Sequence, residues 1–216
     1  MKNKGKQLLL NDFANLDQSF RTNLINSLWG FRPTTLLGTI DNVENANLSI
    51  VNNIIHIGAN PPLVGILFRP PVVERHSLEN ILETGYFCLN HITKSFFQKA
   101  HQTSAKYERN QSEFEATGIE YEFKPGIRVP FVKESPVKVF LQLVESKNLE
   151  VNGTVLIIGK VLEIFIDEKI LGEDGFIHHD KANVVTSVGL DAYYETSLLA
   201  RLQYARPDQS TKVIKY

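Results

Sequence analysis

Four residues in the stretch from Arg69 to Ser77 carry side chains that could hold an anion. Arg69 and Arg75 each carry a fixed positive charge, and His76 and Ser77 directly precede a predicted helix, Leu78 to Thr84. Backbone N–H groups at a helix N-terminus, a hydroxyl and nearby cations together can bind phosphate. The same residues also suit a helix capped by Ser77 with both arginines in solvent, so both interpretations are open from these residues alone.

Small polar side chains interrupt the apolar strand pattern that precedes this helix. They are Asn45, Asn47, Ser49, Asn52 and Asn53, interspersed with Leu48, Ile50 and Val51. Asparagine is depleted in strands because its side chain competes for backbone hydrogen bonds. The pattern indicates either exposed strand ends or a polar ligand that lies along the strand and meets its N–H groups.

The motifs of several common enzyme classes are absent from the sequence. It contains no Gly-x-Gly-x-x-Gly, no Gly-x-x-x-x-Gly-Lys-Ser/Thr, no Gly-x-Ser-x-Gly and no His-Glu-x-x-His. Cys88 lies in the apolar segment Tyr86–Asn90, where we expect a buried structural thiol and not a nucleophile. Adjacent side chains of an extended chain point to opposite faces, so His178-His179-Asp180 is predicted to be a solvated turn. We therefore predict neither a catalytic side chain nor a metal site.

The elements that must position these residues are mostly short strands. The first three predicted strands are separated by turn residues with no room for crossover helices, which favours antiparallel pairing. The predicted strands are Thr35–Ile40, Asn47–Ile57, Leu63–Phe68, Tyr86–Asn90, Val137–Glu145 and Val155–Ile166, with an Asn152-Gly153 hairpin before the last. The predicted helices are one from Asn11 or Asp12 to Leu28, the Leu78–Thr84 helix stopped by Gly85, Thr93–Ala105 and Ser112–Thr117.

Long β-rich runs with a few inserted helices predict a closed or nearly closed barrel, because closure removes exposed strand edges. The predicted fold class is mainly β with inserted helices. We find no internal repeat and no linker long enough to separate two domains, so residues 1–216 are predicted to form one domain. Residues 1–31 are predicted to form an N-terminal helical addition to it.

Composition and the lengths of the apolar segments limit the classes of binding partner and the cellular compartment that we expect. The chain of 216 residues has a formal net charge of −1, which argues against a general nucleic-acid binder. Its longest apolar runs, such as Val155–Ile158, fall far short of the roughly 20 residues of a membrane-spanning helix. The apolar run Leu8–Leu10 behind the basic segment Met1–Lys6 is too short for a signal peptide, and the single Cys88 excludes an intrachain disulfide. A cytoplasmic protein with no nucleic-acid or membrane partner is expected.

The order and spacing of these segments resemble the flavin reductase-like family, whose flavoredoxin-like members use a split β-barrel to bind flavin mononucleotide (FMN). The resemblance runs from about Arg32 to Pro207. The segments that carry it are Asn45–Ser49, Asn60–Val64, Phe68-Arg69, Ser77–Ile81, Gly85–Asn90, Ser112–Phe114, Pro136–Glu145, Ile158–Val161 and Leu199–Tyr204.

The resemblance implies where FMN would bind. The edge of the isoalloxazine would lie against Ser49–Asn53, and the phosphate would lie near Arg69, Arg75, His76 and Ser77. The cofactor-binding residues implied in this way are Asn47, Ser49, Ile50, Val51, Asn52, Asn53, Arg69, Arg75, His76, Ser77 and Asn80. Tyr193, Tyr194 and Arg201 are expected to approach from the C-terminal region.

The resemblance also implies an activity. NADH or NADPH would be the co-substrate of a flavin reductase, with hydride passing to the flavin N5 atom, and the protein would supply binding and orientation. A homodimer is implied as well. Two alternatives remain open, namely an enzyme of the pyridoxamine-phosphate oxidase type on the same barrel, and a non-catalytic flavin carrier.

Overall fold

The computed structural model describes residues 7–13 and 15–214. The expectations for Met1–Lys6 lie outside the described residues. The helices are α1 (Leu10–Phe13), α2 (Gln18–Ser27), α3 (His76–Thr84), α4 (Phe97–Gln102) and α5 (Glu113–Thr117). The strands are β1 (Arg32–Pro33), β2 (Thr35–Ile40), β3 (Ala46–Val51), β4 (Ile54–Ala59), β5 (Pro62–Phe68), β6 (Tyr86–His91), β7 (Tyr121–Lys124), β8 (Ile127–Val132), β9 (Val137–Leu149), β10 (Thr154–Ile166), β11 (Val185–Val188) and β12 (Ala192–Glu195).

Seven of the strands form one antiparallel sheet in the order β3-β2-β6-β9-β10-β5-β4. The predicted antiparallel, mainly β fold is confirmed. The Asn152-Gly153 pair turns the β9–β10 hairpin as predicted, with Gly153 at a φ of 71° and its N–H donating to the Leu149 carbonyl at 2.8 Å. Glycine adopts this left-handed conformation without steric cost.

The two edges of this sheet come from neighbouring parts of the chain. Strand β3 is one edge and β4 is the other, yet only Asn52 and Asn53 separate them in sequence. The sheet therefore curls until its edges meet at these two residues, as in a barrel that is split along one seam. The Asn53 carbonyl accepts a hydrogen bond from the Leu67 N–H at 3.0 Å, which ties the seam to β5.

The core lies on both faces of β2. Leu36 and Leu37 are adjacent in a strand, point to opposite faces and are both fully buried. Leu37 belongs to the cluster that α3 enters through Leu78 and Ile81. Burial of one such side chain contributes roughly 1.5–3 kcal/mol, so this contact holds α3 against the barrel. The smaller sheet β1-β11-β12 and the β7–β8 hairpin lie beside the main sheet.

The N-terminal helix differs from the prediction. It is divided into α1 and α2, because the Asp17 carboxylate caps α2 by accepting the Phe20 N–H at 3.0 Å. The apolar face of this helix is largely exposed, with Phe20 49% and Leu28 60% accessible, and α2 contains no buried residue. The 3.6-residue periodicity correctly indicated a helix, but it does not determine whether the apolar face of that helix is buried.

The predicted bounds of one strand and of one further helix were wrong. The strand predicted from Asn47 to Ile57 is broken at Asn52 and Asn53, where the chain passes from one sheet edge to the other. The helix predicted from Thr93 to Ala105 is reduced to α4. Thr93 instead pairs with Val184 in an isolated bridge, and its hydroxyl bonds to that of Ser95 at 2.7 Å, so local hydrogen bonds compete with the first helical turns.

Candidate functional site

A cleft of about 690 Å³ opens beside the outer edge of β3. One wall is β3 with the start of α3, and the other is the loop after α4 together with β11 and β12. Clefts of roughly 300–1,000 Å³ suit small-molecule ligands. Ten of the eleven predicted cofactor residues line it: Asn47, Ser49, Ile50, Val51, Asn52, Asn53, Arg69, Arg75, His76 and Ser77.

The eleventh predicted residue, Asn80, does not line the cleft. It is a buried residue of α3, and its side-chain amide donates to the Thr39 hydroxyl of β2 at 3.2 Å. Asn80 lies three residues after Ser77 and close to the same helix face. Ser77 contacts β3, whereas Asn80 contacts the next strand, β2.

The Ser77 hydroxyl joins α3 to β3. It accepts from the Asn47 amide at 2.8 Å and shares a hydrogen bond with the Ser49 hydroxyl at 2.7 Å. The prediction that Ser77 caps α3 is therefore wrong. The helix begins at His76 after Arg75, whose side chain makes no cap and whose N–H donates to the Glu79 carboxylate at 3.0 Å.

Cationic side chains surround the same end of the cleft, called here the α3 end and defined by Asn47, Ser49, Arg69, Arg75, His76 and Ser77. The Arg75 Nε is buried and has no hydrogen-bond partner among the described residues. Leaving such a donor unpaired costs about 1–3 kcal/mol, so the site favours a ligand that accepts from it. Arg69 lies exposed at the mouth, and the imidazole of His76 is 3.5 Å from the Glu74 carboxylate.

The opposite end of the cleft, called here the β11 end, is lined by Asn52, Asn53 and Ser187, and it includes Arg32 and Gly189, which contact Asn53 and Asn52. The Asn52 amide donates to the Gly189 carbonyl at 3.0 Å. The half-buried Arg32 guanidinium donates to the Asn53 side-chain oxygen at 3.2 Å and to the Asn26 carbonyl at 2.6 Å. Sequence reasoning missed Arg32 and Ser187, because their partners are distant in sequence. Ser187, for example, lies 135 positions after Asn52, and no local pattern links the two.

The far wall contains a pair of aromatic side chains in hydrogen-bond contact. The His101 Nδ1 lies 2.9 Å from the Tyr193 hydroxyl, and both residues line the cleft. Burial, with a further contribution from the Asp191 carboxylate, raises the pKa of Tyr193 to about 12. Its phenol is therefore protonated at neutral pH and available as a hydrogen-bond donor.

Only one of the three C-terminal residues expected near the site lines the cleft. Tyr193 does so, whereas Tyr194 packs edge-on against Phe31 with ring centroids 5.0 Å apart. Arg201 forms an ion pair with Asp174 at 2.6 Å and lies over the Phe176 ring. These two side chains stabilise the C-terminal segment away from the cleft.

Glu113 is a buried carboxylate at the first turn of α5, and it lines the cleft beside β3. Its Oε2 accepts the Leu48 N–H at 2.9 Å. Burial raises the pKa of Glu113, while the Leu48 N–H opposes that shift. No local pattern predicts this contact, which spans 65 residues.

Cys88 is fully buried, as predicted, and its thiol donates to the Pro130 carbonyl at 3.1 Å. Burial raises its pKa to about 12. Within residues 7–13 and 15–214, no group of three or more His, Cys, Asp and Glu side chains is placed to hold a metal ion. None of the helices in this part of the chain is long and apolar enough to cross a membrane.

Comparison with known proteins identifies the fold. Residues 31–186 match the model of the flavin reductase like domain. A protein of Shewanella frigidimarina NCIMB 400, assigned as a flavin reductase with split barrel domain, superposes with a TM-score of 0.90. It is 44% identical, and the match covers 93% of this chain and 100% of that one.

Two more distant structures share the fold. Component B of nitrilotriacetate monooxygenase from Bacillus cereus has a TM-score of 0.79 at 21% identity, covering 93% of this chain and 100% of that one. An FMN-binding protein from Thermus thermophilus has a TM-score of 0.65 at 17% identity, covering 78% and 88%. The domain match over residues 31–186 and the close Shewanella structure together establish that this chain belongs to the flavin reductase-like family and has its split-barrel fold.

Proposed function

We propose that this protein binds FMN in the cleft beside β3 and reduces it with NADH or NADPH, as an NAD(P)H:flavin oxidoreductase. The observation that carries the proposal is the buried, unpartnered Arg75 Nε at the α3 end of a cleft in a flavin reductase-like barrel. A guanidinium in that position fits a phosphate, which accepts charge-assisted hydrogen bonds. The Thermus neighbour of the same fold is an FMN-binding protein.

The phosphate of FMN would lie at the α3 end. Arg75 would donate to it from inside the cleft and Arg69 from the mouth. The first N–H groups of α3, near His76 and Ser77, have no partners within the helix and add positive potential. Ser77 would contribute through its position in α3 against β3 and not as a helix cap, since Asn47 and Ser49 already hold its hydroxyl.

The isoalloxazine would lie along β3 toward Asn52 and Asn53. In an antiparallel pair, successive N–H groups alternate between the partner strand and the outside. The Leu48 N–H points outward to Glu113, so the N–H of Ile50, two residues further, lies on the same open edge. That edge can donate to the oxygens and nitrogens of a flavin ring.

The residues of this chain would bind and orient, and would not react covalently. Bound FMN supplies the hydride-accepting chemistry. The neutral phenol of Tyr193 and the imidazole of His101 face the cleft from the far wall, where they can donate a hydrogen bond to the nicotinamide or to another acceptor. No nucleophilic or metal-bound step is part of the proposal.

The proposal extends to the assembly. Large apolar side chains are exposed on the N-terminal and C-terminal segments, with Trp29 71% and Leu199 98% accessible. A homodimer that covers these segments would remove this surface from water. The whole chain, including residues 1–31, would then act as one domain in a cytoplasmic dimer.

The test is the visible spectrum of the purified protein with added FMN, followed by anaerobic addition of NADH or NADPH. Retention of FMN after gel filtration, and bleaching by either nucleotide, are the expected results. Retention without bleaching would favour a flavin carrier. If pyridoxamine phosphate bleaches the bound FMN and oxygen then restores the colour, an oxidase of the pyridoxamine-phosphate type is favoured. No retention and no turnover of FMN would refute the proposal.

A further inference from the structure

Among the described residues, Glu113 is the one buried carboxylate in the wall of the cleft, and the proposed chemistry makes no use of it. Only 7% of the Glu113 surface is exposed to solvent. A carboxylate is seldom buried to this extent without a specific partner. The partner here is the backbone of β3, through the 2.9 Å hydrogen bond from the Leu48 N–H.

The position of this hydrogen bond matters because β3 is an edge strand. Its only sheet partner in the described part of the chain is β2, which pairs Gly38 with Leu48 and Leu36 with Ile50. An unpaired strand edge would be free to twist or to pair with another chain. Glu113 takes the outward N–H of Leu48 and leaves the N–H of Ile50 for a ligand.

The helix that carries Glu113 is itself fixed in place. Phe114, the next residue, is buried in the same hydrophobic cluster as Leu48. The side chain and the N–H of Leu48 are therefore both held by α5. On either side of Leu48, the side chains of Asn47 and Ser49 bind the Ser77 hydroxyl.

We propose that Glu113 is a positioning residue for the flavin, which holds the edge of β3 at Leu48 so that the Ile50 N–H meets the ring of the bound cofactor. This inference rests on the proposed function. Glu113 does not touch the phosphate in this arrangement. It acts through the strand on the isoalloxazine, which FMN and riboflavin have in common.

The experiment compares Glu113→Ala, Glu113→Gln and Glu113→Asp with the wild type. Glutamine keeps an acceptor oxygen at the same reach, while aspartate is one methylene too short. The matched control is Glu115→Gln, on the exposed face of the same helix. Dissociation constants for FMN and for riboflavin, the flavin visible band and the hydrogen exchange of the Leu48 amide are measured for each protein.

We expect Glu113→Ala and Glu113→Asp to weaken the binding of FMN and of riboflavin by the same factor, roughly tenfold for the loss of one buried hydrogen bond. Both should shift the visible band and speed exchange at Leu48. Glu113→Gln should restore wild-type affinity and spectrum, and Glu115→Gln should change nothing. If Glu113→Ala does not fold, Glu113→Asp carries the comparison with Glu113→Gln.

Two results would overturn the inference. One is wild-type flavin affinity and spectrum in both Glu113→Ala and Glu113→Asp, and the other is weakened FMN binding with unchanged riboflavin binding. Failure of the proposed function looks different, because the wild type itself would then retain neither flavin. In that case, hydrogen exchange at Leu48 would still report whether Glu113 holds the strand.

Discussion

The α3 end and the β11 end of the cleft share strand β3 but are built from different parts of the chain. At the α3 end, the groups come from residues 47–77, and Ser77 reaches Asn47 and Ser49 across 30 and 28 positions. At the β11 end, Asn52 and Asn53 depend on Ser187, Gly189 and Arg32. A ligand's charged group can thus be held by one compact segment, while its ring depends on the assembly of the whole barrel.

The largest effect is expected at the α3 end from Arg75→Ala. A charge-assisted hydrogen bond contributes about 1.5–3 kcal/mol, and about 1.4 kcal/mol is tenfold in affinity. FMN should therefore bind roughly tenfold or more weakly, while riboflavin binding changes little. Arg69→Ala should follow the same pattern. Fluorescence titration with both flavins measures this, with the exposed Arg128→Ala as the control. If the affinities for both flavins fell equally, the phosphate would not bind at this end.

A smaller and less selective effect is expected at the β11 end from Arg32→Met. The change leaves the Asn53 side-chain oxygen and the Asn26 carbonyl without their donor, which should cost about 1–3 kcal/mol of unfolding free energy. The affinities for FMN and for riboflavin should both fall by about threefold, because the seam at Asn52 and Asn53 would move beneath the isoalloxazine ring that both flavins contain. Denaturant unfolding and titration test this against Arg21→Met, whose single contact with the Phe13 carbonyl is exposed. Selective loss of FMN would contradict it.

A third effect separates the two explanations for Ser77. Ser77→Ala removes the contacts with Asn47 and Ser49 and should cost about 1–2 kcal/mol of unfolding free energy. It should leave the helicity of α3 unchanged, since the hydroxyl does not cap the helix. Thermal unfolding followed by circular dichroism measures both quantities. The control is Ser112→Ala, whose hydroxyl is buried without a described partner and whose removal should be nearly neutral. A loss of helix in Ser77→Ala alone would restore the capping role.

The smallest effect is expected from Cys88→Ala, which lies outside both ends. Its thiol is buried and has a pKa of about 12, so thiolate is scarce at neutral pH and alkylation should need unfolding. Flavin binding and any reductase activity should match the wild type. Iodoacetamide labelling followed by mass spectrometry, with and without denaturant, checks the first point. Rapid labelling of the native protein, or loss of activity with the fold intact, would require a role for the thiol.

Local patterns were sufficient for the parts of this molecule that local interactions build. The Asn152-Gly153 turn, the Gly85 stop of α3, with its left-handed φ of 76°, and the burial of Cys88 follow from nearest neighbours. The polar residues of β3 and the arginines before α3 were also visible, because unusual residue types in a strand or beside a helix start stand out in the sequence itself.

Tertiary structure decided how those groups are used. Ser77 looked like a cap, but β3 lies close enough to take its hydroxyl, and Glu79 takes the Arg75 N–H. Glu113 and Ser187 line the cleft, and Arg32 contacts Asn53 beside it, from elements that the closed sheet brings together. Periodicity reports which face of an element is apolar, but it does not report which distant element covers that face. The sequence therefore determined the segments and the residue chemistry of this protein, and the folded barrel determined which of those residues share one site.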